Sequence, residues 1–273
     1  MTFPVVGIGA SAGGLEAISD LLRHLPIDTG MAFVCIQHLD PTHVSLLTAI
    51  LAKTTVMPVS EVVNGMSVEP NHVYVIPPNT CMTILKDILK LAPRSASQCE
   101  KHTPIDIFFR SLATDQGSRA IGIVLSGTAS DGSAGIQYIK AEGGATFAQD
   151  EASAKFEQMP HNAIATDCVD FVLNPKEIAE RLGNISRDPH AHPTERRIHE
   201  LLPETDEAFR EIILLLKKSS GVDFVNYKPS TLKRRVIRRM IMSRKETLRD
   251  YLNVLKKNPQ ELELLHQIGR AHV

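Results

Sequence analysis

Short apolar runs alternate with amphipathic stretches from residue 3 to about residue 182, and few architectures accept that rhythm. The runs at 3–8, 32–36, 72–76, 81–89, 120–125, 145–148 and 168–172 read as strands. Between several of them, the stretches at 15–25, 45–52, 105–114, 135–141 and 175–182 carry apolar residues at i, i+3 and i+4 and read as helices. Strands separated by helices of this size predict βαβ units, hence an α/β fold with a doubly wound, mostly parallel sheet covered on both faces. One place departs from the rhythm. Residues 72–76 and 81–89 are joined by Pro77-Pro78-Asn79-Thr80, which predicts an antiparallel hairpin inserted in the wound sheet.

Past residue 184 the pattern changes. Residues 185–199 are polar, contain prolines and lack periodicity, so a linker is expected there, between a domain at 1–184 and a second at 200–267. The second reads as a small all-α bundle, with helices at 205–219, from Pro229 to about 243, at 247–256 and from Pro259 onward. Charge divides in the same place: residues 1–200 hold 15 Lys+Arg against 22 Asp+Glu, and residues 201–273 hold 15 against 9. Two units with different partners are implied. Residues 268–273 (IGRAHV) break the apolar pattern and stop mid-element; they are expected to be an artefactual tail on a truncated frame.

The four cysteines form no CxxC pair and no metal-finger spacing, so reduced thiols in a cytoplasmic protein are expected. There is no signal-type N-terminus, and no apolar run approaches the roughly 18 residues of a membrane span.

Residues 5–14 (VVGIGASAGG) join the first strand to the first helix and can be read in several ways. Gly7-x-Gly9-x-x-Ala12 fits a dinucleotide fingerprint, in which the backbone approaches a pyrophosphate at a helix start. Gly9-x-Ser11-x-Gly13 fits a nucleophile elbow, a sharp turn that exposes a serine hydroxyl. A tight glycine turn with a capping serine is the plainest alternative. The second strand weighs on this choice. A dinucleotide site calls for an acid at its end, about 20 residues on, whereas here the strand ends in Gln37-His38. Imidazole is the commonest base for activating a serine. The apolar run 120–125 leads into a small-residue loop with one acid, Asp131, placed either to orient His38 or to cap the following helix. Ser11, His38 and Asp131 all fall at expected strand carboxyl ends, where open α/β sheets bind ligands, and this favours a Ser-His-Asp hydrolase over a dinucleotide site.

At these residues the chain resembles the catalytic domain of the chemotaxis protein-glutamate methylesterases, the CheB family. The matching stretches are GIGASAGGLEA at 7–17, QHLDP at 37–41, VYVIPPN at 73–79, LSGTASDGSAGI at 125–136 and AQDEASAKFEQMP at 148–160. The resemblance implies an enzyme with Ser11 as nucleophile, His38 as general base and acid, Asp131 as orienting group, and no metal or cofactor. The implied substrate is a γ-glutamyl methyl ester on the cytoplasmic helices of a chemoreceptor, with glutamine deamidation as a further activity. Backbone donors for the oxyanion are expected at Ala12, Thr128 and Ala129. The family usually has glycine where this chain has Ala129, so a left-handed residue there would be strained by about 1–2 kcal/mol. Many relatives carry an N-terminal receiver domain, which is not expected here.

Residues 198–267, with FREIILLLKKSSGVDFVNYKPSTLKRRVIRRM at 209–240 and YLNVLKKNPQELELL at 251–265, resemble the N-terminal helical domain of the chemotaxis receptor methyltransferases, the CheR family. The methyltransferase's S-adenosylmethionine domain is not in this sequence, so no methyl transfer is expected from it. In the basic helix Arg234, Arg235, Arg238 and Arg239 make an i, i+4 stripe, and the resemblance implies contact with the acidic methylation region of the receptor. No aromatic interleaving supports nucleic-acid binding, and no membrane insertion is expected. Two-component signalling proteins are further expected partners. The alternative function is a catalytically impaired receptor-binding or scaffold module.

Overall fold

The computed structural model describes residues 3–38, 46–94, 103–187, 207–220 and 247–267, together with residues 232, 233, 236, 239, 240 and 245. The chain divides into two compact units, Met1–Asp188 and Pro189–Val273.

The first unit is built on seven parallel strands: β1 (Val5–Ala10), β2 (Ala32–Gln37), β3 (Val59–Glu61), β5 (His72–Val75), β8 (Ala120–Val124), β9 (Ala145–Gln149) and β10 (Phe171–Leu173). Their order is β10-β9-β8-β1-β2-β5-β3. β1 lies between β2 and β8, with Val5 opposite both Ala32 and Ala120. All six residues of β1 are buried, as are all five of β8, as a strand covered on both faces requires.

Alternation along β1 sorts the two cores. Val6, Ile8 and Ala10 join a cluster with Ile18, Leu21 and Leu22 of α1 (Gly14–His24), Leu47 and Leu51 of α2 (Leu47–Leu51), and Ile178 and Leu182 of α6 (Pro175–Arg187). The opposite face carries Ile105, Phe108, Phe109 and Leu112 of α3 (Pro104–Gln116), Ile136 and Ile139 of α4 (Ser133–Ala141), and Met159 and Ala163 of α5 (Gln158–Ile164). The chain goes from β1 to β2 on one side and returns later to β8, β9 and β10 on the other, so the switch point of the winding lies at β1, where such sheets place their ligands.

The hairpin expectation needs a correction. β5 pairs in parallel with β2 and β3. The antiparallel strands are instead β6 (Thr80–Leu85) and β7 (Ile88–Pro93), which with β4 (Met66–Ser67) make a separate three-stranded sheet. The turn is Lys86-Asp87, with φ of 52° and 60°. Two consecutive left-handed residues match the twist of a two-residue hairpin. Two smaller corrections concern the helices and the thiols. α6 runs on to Arg187, into the expected linker, and Cys81 is disulfide-bonded whereas Cys35 and Cys168 form no disulfide. The expected tail, 268–273, lies outside the described residues.

In the second unit α7 (Glu207–Ser220), α8 (Leu248–Lys257) and α9 (Pro259–Gln267) share one core with Leu232, Val236 and Met240. Phe209, Ile212, Leu216, Tyr251, Leu252, Leu255 and Leu265 fill it. Thr247 caps α8 by accepting from Asp250 N–H at 3.2 Å. Among the described residues no helix is long and apolar enough to cross a membrane.

Candidate active site

β1 ends at Ala10, and the chain turns through Ser11, Ala12 and Gly13 into α1. Gly13 has φ 71°, and a Cβ there would lie 2.8 Å from Ser126 Oγ, so both backbone conformation and space call for glycine. The turn is tied to the neighbouring strand end. Ser11 N–H donates to Ser126 O (3.0 Å), and Ser126 Oγ donates to Ala12 O (2.9 Å). Phe156 N–H donates to Ser126 Oγ (3.0 Å), and Ser126 N–H donates to buried Gln149 Oε1 (2.9 Å). The hydroxyl of Ser11 is thereby fixed at the carboxyl edge of the central strand.

β2 runs alongside to Gln37, and His38 N–H donates to Ala10 O at 3.3 Å, extending the ladder by one step. The His38 ring is thus beside Ser11: Ser11 Oγ lies 3.4 Å from Nδ1. On its far side Nε2 lies 2.7 Å from Asp131 Oδ2. The carboxylate accepts, so Nε2 carries the proton and Nδ1 is left bare to accept from the serine hydroxyl. The rest of the QHLDP stretch, residues 39–41, lies outside the described residues.

Asp131 is 3% exposed. Its two oxygens are held by the first turn of α3: Ile105 N–H donates to Oδ2 (3.1 Å) and Asp106 N–H to Oδ1 (2.9 Å). A helix start supplies unpaired N–H groups and the positive end of its dipole, both suited to a buried carboxylate. Three residues 27 and 93 positions apart in the chain therefore meet in one hydrogen-bonded line.

The backbone donors expected for an oxyanion divide. Ala12 and Thr128 N–H groups donate to no described residue. Ala129 N–H is committed elsewhere: it donates to Gln158 Oε1 at 3.1 Å, while Asn162 Nδ2 donates to Ala129 O at 2.8 Å. Ala129 does stand in the left-handed region, with φ 69°. The two α5 side chains hold that strained residue from both ends. Sequence reading passed over Gln158 and Asn162, and also over Ser126, Gln149 and Asp106, because each acts through hydrogen bonds to a distant main chain. Gln149 was visible only as part of the AQDEAS stretch, with no role attached.

With this geometry, residues 6–182 match the family described as CheB methylesterase. The chain belongs to the CheB methylesterase family. Residues 207–267 match the CheR methyltransferase all-alpha domain. An uncharacterised 104.1 kDa protein of Rhodobacter capsulatus is 36% identical over 242 residues, 81% of this chain and 25% of that protein. The protein-glutamate methylesterase/protein-glutamine glutaminase of Photorhabdus laumondii is 35% identical over 181 residues, 65% of this chain and 51% of that protein. This chain therefore spans about a quarter and about half of the lengths of these two relatives. Among solved structures, the CheB methylesterase catalytic domain of Thermotoga maritima is similar with a TM-score of 0.62 and 25% identity, covering 68% of this chain and all of that one.

In the CheR-like unit the expected basic stripe is corrected at its described member. Arg239 is not on a solvated face: its Nε donates to Glu261 Oε1 at 2.8 Å and its Nη2 to Glu261 Oε2, with 13% of the side chain exposed. Tyr251 OH donates to the same Glu261 Oε1 at 3.0 Å. Lys233, from the same basic run, is 1% exposed and sits 6.0 Å from the Phe209 ring centre. Arg234, Arg235 and Arg238 lie outside the described residues.

Proposed function

We propose that this chain is a protein-glutamate methylesterase that hydrolyses γ-glutamyl methyl esters on chemoreceptors through Ser11, His38 and Asp131. The observation that carries the proposal is the continuous Ser11–His38–Asp131 line, with contacts of 3.4 and 2.7 Å, at the switch point of the sheet. Ser11 Oγ attacks the ester carbonyl as His38 Nδ1 takes its proton, and Asp131 holds the imidazolium that forms. The Ser11–Nδ1 separation is at the long end of a hydrogen bond, and such contacts tighten when substrate is bound. Ala12 and Thr128 N–H groups, uncommitted among the described residues, receive the developing oxyanion. His38 returns the proton to the departing methanol; water then attacks the acyl-serine by the same route and leaves glutamate. A glutamine side chain would enter the same acyl intermediate with ammonia as the leaving group, in keeping with the glutaminase name of the Photorhabdus relative. The CheR-like unit would bring the receptor through Arg234, Arg235 and Arg238, without Arg239.

A second reading is a receptor-docking module with impaired chemistry, favoured by strained Ala129 and its engaged N–H. A fluorophosphonate probe followed by peptide mass spectrometry separates the two. Labelling confined to Ser11 and lost in His38→Ala supports the esterase; an unlabelled Ser11 supports the docking module.

A further inference from the structure

Neither α3 nor α4 is capped by a side chain at its own N-cap position, which is Thr103 in one and Gly132 in the other. Each is served from the other. Asp131, just ahead of α4, takes the Ile105 and Asp106 N–H groups of α3. Asp106, in the first turn of α3, accepts with Oδ1 from Gly132 N–H (2.9 Å) and Gly135 N–H (2.6 Å) at the start of α4. Two helix starts are thus crossed through two carboxylates, and one of these also faces His38.

We propose that Asp106 is a positioning residue for the candidate triad: its side chain fixes Gly132 and Gly135, its main chain fixes the Asp131 carboxylate, and together they set Asp131 against His38. The proposal rests on the esterase reading only for its kinetic consequence. Three features support it. Thr128, Ala129 and Ser130, which precede Asp131, are exposed and tied to α5 through Ala129, while on the other side of Asp131 the main chain at Gly132 and Gly135 is held by Asp106. Both Asp131 oxygens are occupied by α3 N–H groups, and Oδ2 retains a direction toward His38 Nε2. Asp106 also stays in place although burial and the adjacent Asp131 push its carboxyl up to about 6, with the Gly135 and Gly132 N–H groups pulling the other way.

The test compares Asp106→Ala with Asp106→Asn in the full chain. It reads the fluorophosphonate labelling rate of Ser11, the thermal midpoint, and the downfield proton resonance of His38 Nε2–H in its bond to Asp131. Asn keeps an acceptor for Gly132 and Gly135, so it should keep the resonance and label close to the wild-type rate. Ala should lose the resonance and label about a hundred-fold more slowly, the scale of a displaced catalytic group. An unchanged resonance in folded Asp106→Ala, or its loss in folded Asp106→Asn, would overturn the proposal. The resonance reports the Asp131–His38 contact whatever Ser11 does. An unlabelled wild-type protein with an intact resonance would therefore overturn the esterase reading and leave positioning to be decided by the resonance.

Discussion

Ala129 stands at φ 69°, where a side chain crowds the backbone, and it is held there by Gln158 and Asn162. Ala129→Gly removes the crowding and adds some unfolded-state entropy, so the net stabilisation should be about 1 kcal/mol, read as a rise in denaturation midpoint. A fall in the midpoint would mean that the Cβ is well accommodated. Asp106 makes a pH prediction with a definite sign. Its folded value of about 6 lies above the ordinary 3.8, so the folded state holds this proton more tightly than the unfolded chain does. Its contribution to stability is thus full below about pH 4, falls as pH rises toward 6, and is absent above. Melting curves of wild type and Asp106→Asn should diverge in favour of Asn from pH 4 to 6 and stay parallel above; a constant difference across that range would contradict the assignment. At this scale the meeting of Ser11, His38 and Asp131 was legible from residue type and strand position. It was silent on Asp106, whose role depends on a helix start 25 residues from Asp131.

The glycines of the first motif show their main task once α3 is in view. A Cβ on Gly7 would lie 2.8 Å from Phe109 Cε1, and one on Gly9 would lie 2.4 Å from Ile105 Cγ2. They let α3 settle on β1, which explains Gly7-x-Gly9 without a pyrophosphate. Because Ile105 N–H also binds Asp131, Gly9→Ala should both lower stability by about 1–3 kcal/mol and slow Ser11 labelling; normal labelling would show that Ile105 yields without moving the helix start. Strongly patterned elements such as β2, β5, β8 and α1 were readable from apolar periodicity. β3 and β4 span three and two residues and are too short to show a period. α5 was hidden by Pro160, which reads as a breaker but falls in the first turn, where a missing N–H costs nothing. The β6–β7 turn was missed because Lys86-Asp87 lacks the Asn-Gly signature of its class.

At the scale of the whole molecule, two cores serve two sequence families. The CheB-like unit buries residues on both faces of its sheet, and the CheR-like unit has its own cluster. The change of pattern and charge near residue 200 made this division legible. What composition could not reveal is that a basic run can turn inward, as Arg239 does toward Glu261. Removing one partner of such a pair is expected to destabilise its unit by about 3 kcal/mol. Arg239→Ala should therefore lower the melting of the helical unit while leaving the Ser11 labelling rate unchanged; a matched loss of labelling would show that the two units depend on one another. The central claim is a hydrolysis carried by three residues that the fold brings together at the carboxyl edge of the sheet. Its most direct test is methanol release from a methylated chemoreceptor cytoplasmic domain by the wild-type chain and by Ser11→Ala. Steady release that falls about 10⁴-fold or more in Ser11→Ala is the expected result; equal release from both proteins, or none from wild type, would contradict it.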